Sequence, residues 1–222
     1  MENREKISDP RVEELLEQLY VAQVERGRMD GPSCPADVAR AALAAGLVEL
    51  REGQCLLTES GSAAARGIVR RHRLAECLLR DVLGVSASKV DADACEFEHI
   101  IKHGLDDRIC VLLGHPAQCP HGKPIPRGPC CQKALQDAFK DVGPLSDGPV
   151  GAEGAVVYLK TNDRRDVQKL MALGILPGVH VRLIRRFPSY VFQLGFSQFT
   201  VDRELAEKIH VRWRDSSAAP QP

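Results

Sequence analysis

The chain of 222 residues is long enough for one large domain or for two or three small ones. The chain has 30 Lys and Arg residues and 30 Asp and Glu residues, so its formal net charge is zero. This excludes a strongly basic protein that coats nucleic acid, but it allows a local basic patch that binds DNA. No apolar run approaches the roughly 20 residues of a membrane-spanning helix, and the polar N-terminus lacks a signal-peptide pattern. We therefore expect a soluble, cytoplasmic protein without membrane insertion.

The first 57 residues predict two helices and a hairpin. Apolar residues at helical spacing predict a helix over residues 9–25. An Ala-rich stretch that starts at Pro35 predicts a second helix, and Gly46 ends it. Residues 47–50 and 54–57 are predicted to be short strands joined by a Glu52-Gly53 turn.

The middle of the chain is predicted to be helical. A long helix runs from about residue 59 to residue 82. A second helix begins after Ser88 and carries CEFEHIIKHGL (residues 95–105), and further helices cover residues 105–113 and 130–140. Prolines and glycines make residues 114–129 an irregular loop. Residues 141–149 have the composition of a linker between domains.

Short strands dominate the rest of the chain, at about residues 151–159, 179–185, 190–194, 199–201 and 210–213, with one helix near residues 166–173. This spacing predicts a small β-barrel. The polar tail at residues 215–222 is expected to be disordered.

Two predicted helices carry metal-binding side chains at helical spacing. Cys95, Glu98 and His99 share one helix face, and His72 and Glu76 share a face of the preceding helix. Two packed helices can direct such groups to one point. Mixed nitrogen, oxygen and sulfur donors suit a first-row divalent metal, although spacing alone also fits surface pairs and core residues.

The motifs RHRLAE (residues 71–76) and DACEFEH (residues 93–99), followed by CPHGKPIP (residues 119–126), resemble the diphtheria toxin repressor family of iron- and manganese-dependent repressors. The resemblance implies a winged-helix DNA-binding part, a helical metal-binding and dimerisation domain, and a homodimer. It also implies a set of metal ligands, namely Glu14, Glu17, His72, Glu76, Cys95, Glu98 and His99. Asp91 stands where iron-type members carry His, which puts one site in doubt.

The identity of the metal is predicted from the donors. The thiolate of Cys95 favours Fe²⁺, whereas the carboxylates of Glu14 and Glu17 favour the alternative, Mn²⁺. We expect Fe²⁺.

A second group of cysteines follows the predicted metal site. Cys119, Cys130 and Cys131, near His115 and His121, are candidates for binding Zn²⁺ or an iron–sulfur cluster. Their spacing matches no familiar motif, and a fourth thiolate such as that of Cys110 would have to come from elsewhere. The alternative is a rigid loop with ordinary cysteines.

The stretch LMALGILPG (residues 170–178) and the later LAEKIHV (residues 205–211) resemble the FeoA domain of ferrous transport, an SH3-like barrel. The expected fold class is therefore α+β. It comprises a shortened winged helix (1–66), a helical metal and dimerisation domain (67–141), an SH3-like barrel (150–214) and the tail (215–222).

DNA binding is predicted from the family resemblance. The resemblance places a recognition helix at about residues 33–46, with Ser33, Asp37 and Arg40 as candidate DNA contacts. Only about six residues precede it where the family has a further helix, and Arg40 is its one basic side chain.

Two functions are compatible with these features. The first is a dimeric, Fe²⁺-activated repressor that binds operator DNA and controls iron or manganese homeostasis. The alternative is an iron-sensing or iron-delivering partner of a ferrous transport system that does not bind DNA. We do not expect an enzyme, because the sequence shows no nucleophile–base pair with supporting spacing.

Overall fold

The computed structural model describes residues 9–28, 34–101, 104–137, 142–161 and 163–214. Within them the chain forms a helical N-terminal and middle part followed by an antiparallel sheet. The predicted tail at residues 215–222 lies outside the described residues, as does the short connection at residues 29–33. None of the described helices is both long and apolar enough to span a membrane.

The N-terminal part contains two helices and a hairpin. Its elements are α1 (Pro10–Leu19), extended by a π-helical segment (Tyr20–Glu25), α2 (Ala36–Ala44), β1 (Val48–Arg51) and β2 (Gln54–Leu57). The carboxylate of Asp9 accepts a hydrogen bond from the backbone N–H of Arg11 and caps α1. The strands pair antiparallel around the predicted Glu52-Gly53 turn, where both residues have positive φ.

A long helix connects two hydrophobic cores. α3 (Glu59–Cys77) continues into a π-helical segment (Leu78–Val82), so the predicted long helix is confirmed. Ala65 and Ile68 pack in the N-terminal core, whereas Leu74 and Ala75 pack in the core of the middle part. The remaining helices of that part are α4 (Val90–Glu98), α5 (Leu105–Leu112) and α6 (Pro129–Asp137).

The C-terminal part is one six-stranded antiparallel sheet with strand order β3-β8-β4-β5-β6-β7. Its strands are β3 (Val142–Pro144), β4 (Glu153–Leu159), β5 (His180–Arg185), β6 (Tyr190–Leu194), β7 (Ser197–Val201) and β8 (Ile209–Trp213). Its helices are α7 (Arg164–Ala172) and α8 (Arg203–Lys208), and a 3₁₀ turn (Leu145–Asp147) follows β3.

Two expectations for this part need correction. The sheet is not closed into a barrel, because its edge strands β3 and β7 do not pair with each other. The chain runs from β7 to β8 through α8, which packs on β3 and the 3₁₀ turn. The segment at residues 141–149 is not simply a linker, since β3 pairs with β8 and Leu145 is fully buried in the sheet core. Where the domain boundaries fall stays a prediction.

Candidate metal centre

Three helices bring the predicted ligands together. α3 supplies His72 and Glu76 one turn apart, and α4 with the residue that follows it supplies Cys95, Glu98 and His99. α1 packs against α3 and adds Glu14 and Glu17. Two of the carboxylates are deeply buried, since Glu98 is 0% exposed and Glu76 is 2% exposed.

The donor atoms form two adjacent pockets. Glu14, Cys95 and His99 make the first, and Glu17, His72 and Glu98 make the second, with donor atoms within 4.8 Å of one another in each. Glu98 lies between them, because one carboxylate oxygen is 2.9 Å from Nδ1 of His72 and the other is 3.9 Å from Nε2 of His99. The arrangement resembles a two-ion site with a shared carboxylate.

Buried polar atoms without partners fit this interpretation. Among the described residues, Nδ1 of His72, Oε2 of Glu76 and both carboxylate oxygens of Glu98 are buried and lack a hydrogen bond. The 2.9 Å contact between His72 and Glu98 is an ion-pair distance without hydrogen-bond geometry. Buried charged groups without partners are costly, and a divalent cation bound by these atoms would remove that cost.

Without a metal ion, several donor side chains of the two pockets have raised pKa values. Burial opposes a charge on His72, but the carboxylates of Glu76 and Glu98 outweigh it and raise the pKa of His72 to about 10. Burial raises the pKa of Glu17 to about 7. Burial, reinforced by the nearby Glu98, raises the pKa of the Cys95 thiol to about 11. A metal ion would displace these protons, since its ligands bind in their deprotonated forms.

A supporting residue was missed by the sequence analysis. Glu13 contacts Nδ1 of His99 at 2.5 Å, and Arg71 donates a hydrogen bond to Glu13 at 2.7 Å. Arg71 also donates to the backbone carbonyl of Glu98. This network fixes the ring of His99 so that Nε2 faces the pocket, which is a usual role of groups around a metal site. Spacing could not distinguish Glu13 from an ordinary surface acid.

Asp91 extends the centre toward solvent. Nε2 of His72 lies 3.6 Å from carboxylate oxygens of both Glu76 and Asp91, and Asp91 has a side chain that is 77% exposed. Glu76 also accepts from Nδ1 of His121 at 2.6 Å and shares a potential ligand group with Cys119 and His121. Glu76 thus also belongs to a donor group that does not include Glu98.

The structure separates the cysteines that we grouped as one candidate cofactor site. Cys119 lies beside Glu76 and His121, because the loop turns back on itself through a backbone hydrogen bond from Cys119 to Lys123. Cys130 and Cys131 lie at the start of α6, where they meet Cys110 and His115 instead. Cys119 therefore falls in a different donor group from Cys130 and Cys131.

The candidate DNA-contacting residues differ in their partners within the protein. Asp37 and Arg40 both lie on the exposed face of α2. The carboxylate of Asp37 binds Arg11 of α1 at 2.8 Å, so it is already engaged within the protein. Among the described residues, Arg40 donates a hydrogen bond to the carbonyl of Ala36 on its own helix. Ser33 lies outside the described residues.

Comparison with known proteins identifies the families that this chain resembles. Residues 58–127 match the family described as iron dependent repressor, metal binding and dimerisation domain, and residues 143–212 match the FeoA domain. The iron-dependent repressor IdeR of Mycobacterium tuberculosis is 31% identical over 213 residues, which cover 90% of each chain. The diphtheria toxin repressor of Corynebacterium efficiens is 36% identical over 206 residues, covering 90% of this chain and 89% of the relative. A solved manganese-dependent transcriptional repressor, in complex with manganese, is 23% identical with a TM-score of 0.44, covering 91% of this chain and 100% of that chain.

Fold, donor set and similarity together define a protein of the metal-dependent repressor class. The chain belongs to the diphtheria toxin repressor family, which confirms the resemblance of the RHRLAE and DACEFEH motifs. It also carries a C-terminal FeoA domain, as the LMALGILPG stretch predicted.

Proposed function

We propose that this protein is a transcriptional repressor that binds operator DNA as a dimer when Fe²⁺ fills the pockets between α1, α3 and α4. It would control genes of iron or manganese homeostasis. The names of its relatives support this function, since they are an iron-dependent repressor and diphtheria toxin repressors. The proposal assigns no catalytic residue.

The observation that carries the proposal is the buried carboxylate of Glu98 between His72 and His99. Neither of its oxygens has a hydrogen-bond partner within the part of the chain that the structure describes. Glu14 and Glu17 of α1 complete the two pockets. A bound metal would therefore hold α1 against α3 and α4. It would favour that conformation over one in which α1 is detached, because the metal binds the first conformation more tightly.

The ligands would be Glu14, Glu17, His72, Glu76, Cys95, Glu98 and His99, and the metal would supply positive charge at the helix junction. Cys95 adds one sulfur donor to a set of carboxylates and imidazoles. Sulfur favours Fe²⁺ over Mn²⁺, because softer ligands prefer the later ion. Mn²⁺ is the alternative ion, favoured by the carboxylates of Glu14 and Glu17.

DNA would be bound by a shortened winged helix formed by α1, α2 and the β1–β2 hairpin. α2 is packed on α1 by Val38 and Ala42 and presents Asp37 and Arg40 outward. The scarcity of polar groups on α2 predicts that backbone contacts contribute more than base contacts. A second copy would pack near Ile100 and Leu105, whose side chains are 68% and 43% exposed.

A selection experiment tests this function. Protein prepared without oxygen is incubated with random-sequence DNA duplexes, with Fe²⁺ or with a chelator, and bound DNA is enriched and sequenced. We expect one two-fold symmetric sequence to be enriched with Fe²⁺ and not with the chelator. The variant Glu98→Gln should enrich none, while Glu96→Gln, an exposed change on the same helix, should behave as the parent. Equal enrichment with and without metal would contradict the proposal.

A second candidate function is supported by the FeoA domain alone. In that case the protein would sense or deliver iron at a ferrous transport system without binding DNA. Affinity purification of the tagged chain from iron-replete cells distinguishes the two, because a transport component would then be recovered and no DNA sequence would be enriched in the selection experiment.

A further inference from the structure

A cluster of three cysteines and one histidine lies apart from the pockets described above. Its members are Cys110 in the last turn of α5, His115 in the following loop, and Cys130 and Cys131 at the start of α6. We propose that these four residues bind a single Zn²⁺ ion in a structural site. The site goes beyond the proposed function, since it shares no residue with the iron pockets.

The distances between the donor atoms match a zinc tetrahedron. The Sγ atom of Cys131 lies 3.6 Å from Sγ of Cys110 and 3.8 Å from Sγ of Cys130, and Sγ of Cys110 lies 3.5 Å from Nδ1 of His115. Zn–S bonds of ~2.3 Å and Zn–N bonds of ~2.0 Å at tetrahedral angles put two sulfurs about 3.75 Å apart, and sulfur and nitrogen about 3.5 Å apart. These three donor-to-donor distances therefore match those of a tetrahedral zinc site.

The size of the cluster favours one ion. All four donor atoms lie within 4.8 Å of one another, which leaves room between them for a single metal. An iron–sulfur cluster contains several irons and sulfides between its cysteines and needs donors that are farther apart. Three sulfurs and one nitrogen also match a common ligand set of structural zinc.

The positive charge of Arg70 stabilises the thiolate forms of the cluster cysteines. Its buried guanidinium donates to Sγ of Cys130 at 3.1 Å and approaches Sγ of Cys131 at 3.9 Å. Asp106 and Asp107 hold the same guanidinium in place through ion pairs of 3.1 Å and 3.0 Å. Three thiolates around Zn²⁺ carry one net negative charge, and a positively charged donor beside the sulfurs stabilises it.

The local backbone brings His115 to the cluster. The backbone N–H of His115 donates to the carbonyl of Cys110, and His115 itself has a φ of 58°, a left-handed conformation uncommon outside glycine. Gly114 before it packs on the backbone of the C-terminal sheet, where a Cβ atom would lie 1.6 Å from the carbonyl oxygen of Leu159. The ring of His115 meets Tyr158 of β4 edge-on. Zinc at this position would link α5 to α6 and hold the ring of His115 against the FeoA domain.

Metal analysis of full-length protein tests the site. The variant His72→Ala/Cys95→Ala serves as the background, so that each of the two iron pockets loses a ligand and Cys95 contributes no thiolate. After purification under reducing conditions and dialysis against a mild chelator, we expect a single zinc ion per chain. Cys110→Ser and Cys131→Ser in this background should lose that zinc, whereas Cys34→Ser, outside every ligand group found among the described residues, should keep it.

Cobalt substitution tests the site without changing any cluster residue. Co²⁺ added to the zinc-free background protein should give thiolate-to-cobalt charge-transfer bands and intense tetrahedral d–d bands, and Zn²⁺ should abolish both. The proposal is overturned if the cobalt spectrum lacks thiolate bands. It is equally overturned if the zinc content does not change on replacing Cys110 or Cys131 in variants whose circular dichroism shows an intact fold.

Discussion

Oε2 of Glu98 lies 2.9 Å from Nδ1 of His72, in the interior between α3 and α4. Both atoms are buried, and neither has a hydrogen-bond partner among the residues that the structure describes. Two such groups, brought together by helices that also receive Glu17 from α1, form a site prepared for a cation.

Glu13 should act as a positioning residue for His99. Replacing Glu13 by Gln removes the carboxylate that holds Nδ1 of His99, so the ring loses its fixed orientation. We expect Fe²⁺ or Mn²⁺ to bind about 10- to 100-fold more weakly, with unchanged stoichiometry, as is typical of such supporting groups. Anaerobic calorimetry measures both quantities. Glu96→Gln is the control, and equal affinity of the two variants would argue against this role.

Metal affinity should rise with pH. In the metal-free protein the pKa of His72 is raised to about 10 and that of Glu17 to about 7, so His72 is protonated throughout the neutral range and Glu17 only below about pH 7. The Cys95 thiol, with its pKa raised to about 11, is also protonated at neutral pH. Metal binding must therefore release roughly three protons near pH 6 and roughly two near pH 8. Calorimetry in buffers with different ionisation enthalpies counts them. Affinity independent of pH from 6 to 8 would refute this protonation state.

His210 should make the C-terminal sheet sensitive to acid. Burial lowers the pKa of His210, so the folded protein binds this proton less readily than the unfolded chain, whose His pKa is near 6.5. Its contribution to stability is therefore fully present above about pH 6.5 and is lost as the pH falls below that value.

His210→Phe keeps a ring stacked on Tyr158 but cannot be protonated. Between pH 7.5 and pH 5.5 the parent should lose up to about 1 kcal/mol more unfolding free energy than the variant. Urea denaturation at the two pH values measures the difference. Parallel losses in the two proteins would show that His210 does not titrate in this way.

Gly61 should be essential for packing the hairpin on α3. A Cβ atom at this position would lie 1.7 Å from the backbone carbonyl oxygen of Leu47. We expect Gly61→Ala to lower the free energy of unfolding by about 1–3 kcal/mol, the usual cost of overpacking. Thermal denaturation measures the loss, and Ser62→Ala, the next residue of the helix, is the control. A stabilised Gly61→Ala variant would mean that the backbone at Leu47 moves freely.

The sequence was most informative where local rules decide the structure. Helical spacing predicted α3 and α4, and the Glu52-Gly53 turn predicted the hairpin, because both depend on residues a few positions apart. The same spacing identified Glu98 and His99 as candidate ligands. Assigning Glu14 and Glu17 to this site depended on the family resemblance, since α1 and α4 are distant in sequence.

The sequence was least informative where partners are distant. Val142–Pro144 has the composition of a linker, and it is a strand only because β8, almost 70 residues later, pairs with it. The cysteines show the same difficulty, since proximity along the chain grouped Cys119 with Cys130 whereas folding places Cys130 beside Cys110. Long-range packing of this kind leaves no local pattern that a single sequence could show.

The most direct test of the central claim is anaerobic titration of the metal-free protein with Fe²⁺, comparing the parent with Glu98→Gln. Because Glu98 contacts both His72 and His99, we expect the variant to lose at least about 10- to 100-fold in affinity, the range typical of changes to supporting groups alone. Glu96→Gln on the same helix should bind as the parent does. Unchanged Fe²⁺ affinity and stoichiometry in Glu98→Gln would contradict the account.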